Sequence, residues 1–130
     1  MLGSKAVAAT LPVKDIEAAR DFYENTLGLT QMQGDNPDPT AVMYTSGSSS
    51  VLVYQSAYAG TNKATAATWA VGDDLDAIVQ ELKDGGVTFE HYDGLPGVTR
   101  EGDLHLMGDL KAAWFKDPDG NILNLVNQSM

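Results

Sequence analysis

Leu75, Ile78, Val79 and Leu82 fall at i, i+3, i+4 and i+7, which puts four apolar side chains on one stripe of a helix. Ile16, Ala19, Phe22, Tyr23 and Leu27 make a second, looser stripe near the N-terminus. Each stripe is preceded by a short apolar run, 6–11 and 68–71, and by acidic residues that suit the positive end of a helix, Asp15 and Glu17 in one case, Asp73, Asp74 and Asp76 in the other. Each ends at glycine, Gly28 and Gly85-Gly86. Apolar runs that read as strands follow: 29–33, 40–45 and 51–54 after the first helix, and 87–92, 110–115 and 122–126 after the second. Each half of the chain therefore predicts strand, helix, strand, strand, strand. The order recurs at a nearly constant offset, the mark of a duplicated supersecondary unit.

The intervening segments 34–39, 55–63 and 93–108 are polar or rich in Gly and Pro, so they are expected to be loops. The last is long for a compact domain and has the length of a lid. Ser46-Gly47-Ser48-Ser49-Ser50 looks like a phosphate cradle only at first sight. No Lys-Thr or Lys-Ser follows and no helix opens there, so a hairpin turn is the expectation.

The segment Phe115-Lys116-Asp117-Pro118-Asp119-Gly120-Asn121-Ile122-Leu123-Asn124-Leu125 carries the strongest local signal. Proline presets φ and glycine accepts φ > 0, so apolar runs on both sides read as strand, turn, strand. With Leu11-Pro12-Val13-x-Asp15-Ile16 and Phe22-Tyr23-x-x-x-Leu27-Gly28-Leu29, it resembles the vicinal-oxygen-chelate superfamily of glyoxalase, bleomycin-resistance and extradiol-dioxygenase proteins. The resemblance spans the whole chain. It implies an α+β fold of two tandem β-α-β-β-β modules that form a cupped mixed sheet around a cavity, with helices on the outer face. The expected organisation is one domain over 1–130, with module one at about 4–56 and module two at about 64–128.

The resemblance also says where a metal would sit. Metal-using members of that superfamily carry ligands on the first strand, on the first strand of the second half, and as a glutamate on the last strand. The matching positions here are Ala8, Ala67 and Asn124. Alanine has no donor atom and an amide oxygen is a weak, uncharged ligand, so no metal and no other cofactor is expected. The two histidines, His91 and His105, match no ligand position. Glu101, Asp103 and His105 lie at spacing two on the expected 93–108 loop, where a solvated loop is the plain reading.

Strand alternation then sorts residues by face. Counting from the implied ligand positions turns Thr10, Trp69 and Asn124 toward the cavity, and comparison with fosfomycin-resistance relatives in the superfamily points Met43, Leu52 and Tyr54 inward as well. In the fosfomycin-resistance thiol transferases, which belong to the same superfamily, the position ten before the last-strand glutamate faces substrate; the match is Trp114. Tyr44 and Phe115 are left on the opposite face, against the helices. Aromatic platforms with a few polar groups suit flat, conjugated small molecules, and tryptophan also suits cations.

Composition narrows the choice further. The 130-residue chain is 43% apolar, enough for a packed interior, and has no cysteine, which excludes disulfides, thiolate nucleophiles and zinc–thiolate sites. Its net charge of −10 repels nucleic acid and anionic membranes, and no run approaches transmembrane length. A cytoplasmic protein is the expectation, with no nucleic-acid or membrane partner and a small aromatic ligand as partner; the resemblance further implies a homodimer. Two functional readings stand side by side. One is a binding protein that sequesters an aromatic natural product or antibiotic without metal, as in the bleomycin-resistance branch. The other is a lyase, isomerase or dioxygenase-type enzyme of the same superfamily acting on a small organic substrate.

Overall fold

A computed structural model describes residues 1–32 and 38–129. Gln33, which closes the strand expected over 29–33, and positions 34–37 of the loop expected after it lie outside the described residues. The chain divides into two compact units, residues 1–63 with 118–121 and residues 64–117 with 122–130. The class is α+β, with ten strands among the described residues in two mixed sheets.

The first unit runs β1 (Ala9–Val13), α1 (Ile16–Arg20), β2 (Thr30–Gln31), β3 (Ala41–Ser46) and β4 (Ser49–Gln55). Asp15 caps α1: its Oδ1 accepts from the backbone N–H groups of Glu17 and Ala18. Residues Asp21–Thr26 continue the helix with π winding, where Leu27 N–H donates to the Phe22 carbonyl. This wider turn explains the looser apolar stripe. Ala19 and Tyr23 are buried, while Ile16, Phe22 and Leu27 are half-buried. Strand order is β1-β4-β3-β2, with β1 parallel to β4 and the other neighbours antiparallel. Gly47 (φ 58°) and Ser48 make a two-residue hairpin turn between β3 and β4, with the glycine first. Leu11, Val13, Val42, Tyr44, Val51 and Val53 are buried on one sheet face. Tyr44 stacks on Tyr23 and donates its hydroxyl to Glu24 at 3.0 Å, so this is the helix side. Burial and the Glu24 carboxylate push the Tyr44 phenol well above its usual range, which keeps it a donor.

The Pro-Asp-Gly-Asn turn belongs with this unit. Asp119 Oδ1 accepts from Lys14 N–H, and Asn121 Nδ2 donates to the Pro12 carbonyl. Gly60 lies so close that an added Cβ would come within 2.6 Å of the Asp119 carbonyl oxygen.

The second unit runs β5 (Thr65–Ala70), α2 (Leu75–Asp84), β6 (Phe89–Glu90), β7 (Thr99–Glu101), β8 (Leu104–Met107), β9 (Leu110–Lys116) and β10 (Ile122–Val126). Leu75, Val79 and Leu82 of α2 are buried, as its stripe requires. The order β5-β10-β9, with β5 parallel to β10 and β6 against β9, repeats the β1-β4-β3-β2 order of the first unit. The 93–108 segment corrects the sequence reading. Residues 99–107 form a β7–β8 hairpin that extends the sheet from the edge of β9. Its turns are Gly102-Asp103 and Gly108-Asp109, with glycine φ of 63° and 58°. These are glycine-first hairpin turns, a signal that polar composition hid.

Candidate functional site

Residues directly across a ladder project from the same sheet face. In the first unit, Thr10 lies across from Leu52, and Leu52 from Met43. Tyr54 lies across from both Pro12 and Ala41, two residues along the same face. Thr10, Met43, Leu52 and Tyr54 therefore share the side away from Tyr44 and the helix. Met43 and Leu52 are half-buried, and Thr10 and Tyr54 are exposed.

In the second unit Asn124 lies across from Trp114 on β9 and from Thr68 on β5. Its Nδ2 donates to Thr68 Oγ1 at 3.3 Å. Leu125, one residue on, lies across from Trp69 and Ala113, and Leu123 from Ala67 and Phe115. Trp69 and Ala67 thus stand on the face of Leu123, Leu125 and Phe115, opposite Trp114 and Asn124. This corrects the sequence reading, which turned Trp69 and Ala67 toward Asn124. The count along β5 began one residue early, and Thr68 holds the position it gave to Ala67. A register irregularity between Ile122 and Leu123, where β5 carries an extra residue, makes the count easy to lose. Phe115 lies on the buried side as expected, edge-on to Phe89 at 5.5 Å.

The Trp114 face also holds residues that the sequence reading set aside. His105 lies across from Ala112, two residues from Trp114 on the same side. It is 2% exposed, not part of a solvated loop. Its ring meets Trp114 edge-on at 4.8 Å. Tyr92, two residues beyond Glu90 on the same side, meets Trp114 edge-on at 5.5 Å. The Tyr92 backbone N–H donates to His105 Nε2 at 2.9 Å. The Trp114 Nε1–H donates to Thr65 Oγ1 at 3.1 Å, which fixes the indole plane. Trp114 itself is half-buried.

Three polar atoms flanking this indole are buried without a hydrogen-bond partner: Tyr92 Oη, His105 Nδ1 and Asn124 Oδ1. Each such atom costs about 1–3 kcal/mol if nothing ever pairs with it. Burial, and secondarily the Glu90 carboxylate, raises the Tyr92 phenol, so it keeps its proton. Glu90, across from Trp114, is itself paired with Lys116 at 3.0 Å.

Charge is used elsewhere in this unit to fasten the added hairpin. Asp103 receives Lys83 of α2 and His91, each at 2.8 Å. Those two hydrogen bonds, Lys83 first, hold its carboxyl below the usual range. Arg100 grips Asp93 through two nitrogens, at 2.7 and 3.3 Å. Glu101, Asp103 and His105 do not form one cluster: Asp103 turns to α2, and His105 turns to Trp114.

A metal of the kind used by some members of the resembled superfamily does not fit these residues. The corresponding positions carry the Ala8 methyl, which has no donor atom, the Thr68 hydroxyl and the Asn124 amide, none of them anionic or imidazole. Among the described residues no three His, Asp or Glu side chains come together to hold an ion. Nor is any helix of the described residues long and apolar enough to cross a membrane.

Comparison with known proteins agrees with the architecture. A superfamily member from Sphaerobacter thermophilus superposes with a TM-score of 0.67 at 28% identity, over 97% of this chain and 98% of that one. TnmS3, an antibiotic binding protein from Streptomyces, superposes with a TM-score of 0.62 at 24% identity over 99% of both chains. The fosfomycin resistance protein FosX from Mesorhizobium loti gives 0.67 at 12% identity, over 98% and 94%. No curated protein sequence matches at a significant level. The family model that matches, over residues 5–125, is described as the Glyoxalase/Bleomycin resistance protein/Dioxygenase superfamily, and the chain belongs to that superfamily.

Proposed function

We propose that this chain is a small-molecule binding protein that holds a flat aromatic natural product or antibiotic on the Trp114 face of its second unit, without a metal. The observation that carries this reading is the half-buried indole of Trp114, bonded to Thr65 and framed by Tyr92, His105 and Asn124. An aromatic platform with a few directed polar groups is the usual make-up of a small-molecule site. The first unit has its own face of Thr10, Met43, Leu52 and Tyr54, which we propose as a contact surface in its own right. That an antibiotic binding protein shares the fold supports the reading.

A lyase or isomerase reading draws on His105, a buried imidazole beside Trp114, and on the lactoylglutathione lyase from Agrobacterium tumefaciens among the structural neighbours. The hydrogen bonding of His105 argues against it. Nε2 already accepts from Tyr92 N–H, so the ring proton sits on Nδ1 and no lone pair is left to act as a base. We further propose that the chain forms a homodimer in the cytoplasm; Tyr54, Tyr58 and Met107 leave apolar surface that a second copy would cover.

A thermal-shift screen of flat aromatic antibiotics and divalent metal salts tests the proposal, because a ligand of the folded state raises Tm. Stabilisation by an aromatic compound in the presence of chelator is the expected result. Stabilisation by a metal alone, with turnover of a small substrate that depends on it, would replace this reading with the enzymatic one.

A further inference from the structure

The three unpartnered atoms around Trp114 specify more than an aromatic surface. Tyr92 Oη, His105 Nδ1 and Asn124 Oδ1 all belong to the second unit and to side chains on one sheet face. Buried polar groups in native proteins are nearly always paired. Three around a single indole are more than native packing ordinarily leaves unpaired.

What each atom requires can be read from what its neighbour on the same side chain already does. A backbone N–H can only donate, so His105 Nε2, which receives the Tyr92 N–H, carries no hydrogen. The remaining atom, Nδ1, is a donor in need of an acceptor. Asn124 spends its Nδ2 on Thr68, so Oδ1 is an acceptor in need of a donor. Tyr92 Oη can serve as either. Trp114 has its N–H committed to Thr65, so it offers no donor. Glu90, the carboxylate nearest the indole along the strand pairing, is neutralised by Lys116. A cation would find the Glu90 charge already taken.

We infer, on the basis of the binding reading above, that the ligand is a flat, neutral, conjugated molecule bearing both a carbonyl-type acceptor and an N–H or O–H donor. The acceptor meets His105 Nδ1–H, the donor meets Asn124 Oδ1, and the ring lies on Trp114.

Three matched probes separate the parts of this inference. 4-Quinolone carries a ring N–H and a carbonyl, N-methyl-4-quinolone keeps the carbonyl and loses the N–H, and N-methylquinolinium is a cation with neither. Trp69→Phe leaves Trp114 as the sole tryptophan, so quenching of its fluorescence reports binding at this face. 4-Quinolone should bind tightest, its N-methyl derivative about tenfold or more weaker, since the methyl strands a buried acceptor. The cation should bind weakest. Asn124→Leu should bring the two quinolones to equal affinity, whereas Asn124→Asp, which keeps an acceptor, should preserve the preference for the N–H. Equal affinity for all three probes in the parent protein would overturn the donor–acceptor assignment while leaving aromatic binding standing. Tightest binding by the cation would overturn the neutral-ligand inference. Failure of every probe to quench at any soluble concentration would overturn this inference together with the binding reading.

Discussion

Adjacent residues of β9 should fail in opposite ways when truncated. Phe115 is 1% exposed, lies on the face of Leu123, and packs edge-on against Phe89. Phe115→Ala removes a fully buried ring and leaves a cavity, at a cost of about 3–5 kcal/mol. For a domain of this size each kcal/mol moves Tm by roughly 3–5 °C, so the melting temperature should fall by about 10–25 °C. Trp114 is half-buried and projects from the other face. Trp114→Ala loses contacts with Tyr92 and His105 and the bond to Thr65, an expected cost of about 1–3 kcal/mol. Its larger effect should be on affinity. Stacking contributes about 0.5–1.5 kcal/mol beyond area burial, and with lost burial added the dissociation constant should rise at least tenfold, about 1.4 kcal/mol. Calorimetric melting and titration with one aromatic ligand on both variants give the four numbers. A folded Phe115→Ala protein that melts within a few degrees of the parent but no longer binds, beside a Trp114→Ala protein of unchanged affinity, would show that the ligand face has been assigned to the wrong side of the sheet.

Three further predictions concern the scaffold. Asp103 is held as a carboxylate by Lys83 and His91, so its contribution is fully present above the ordinary carboxyl value near 4 and is lost as pH falls through its lower folded value. Asp103→Asn should therefore cost about 1 kcal/mol at neutral pH and flatten the acid limb of a stability-against-pH curve; an unchanged acid limb would show that this pair does not fasten the hairpin. Gly60→Ala meets two penalties, a φ of +81° and the Asp119 carbonyl oxygen, and should destabilise by more than about 1 kcal/mol in denaturant unfolding. Sedimentation at micromolar concentration should show a dimer, and a species of only 13.8 kDa would contradict that.

The parts of the fold legible in the sequence were those whose signal is local and periodic. The α2 stripe, the 122–126 strand and the buried faces of β3 and β4 follow from spacing alone. What was hidden depends on pairing partners or on one inserted residue. The β7–β8 hairpin sits in a polar stretch, and only the glycine-first pairs Gly102-Asp103 and Gly108-Asp109 announced it. His105 looked like a loop histidine because nothing local says that β8 will pair with β9 and bring it to Trp114. Trp69 was turned to the wrong face because a period of two converts an error of one position into the opposite side of the sheet. Trp114, Asn124 and Thr10 kept their places because their strands pair without interruption where these residues lie.

Trp114 is proposed as part of a metal-independent site for a flat aromatic ligand. The most direct test is a titration of Trp69→Phe protein, followed through Trp114 fluorescence, with one aromatic antibiotic that stabilises the parent, before and after exhaustive treatment with chelator. Saturable quenching at one site per chain, with the same dissociation constant in both preparations, is the expected result. Loss of binding on chelation and its return with an added divalent metal, or stabilisation by the antibiotic with no change in Trp114 emission, would contradict it.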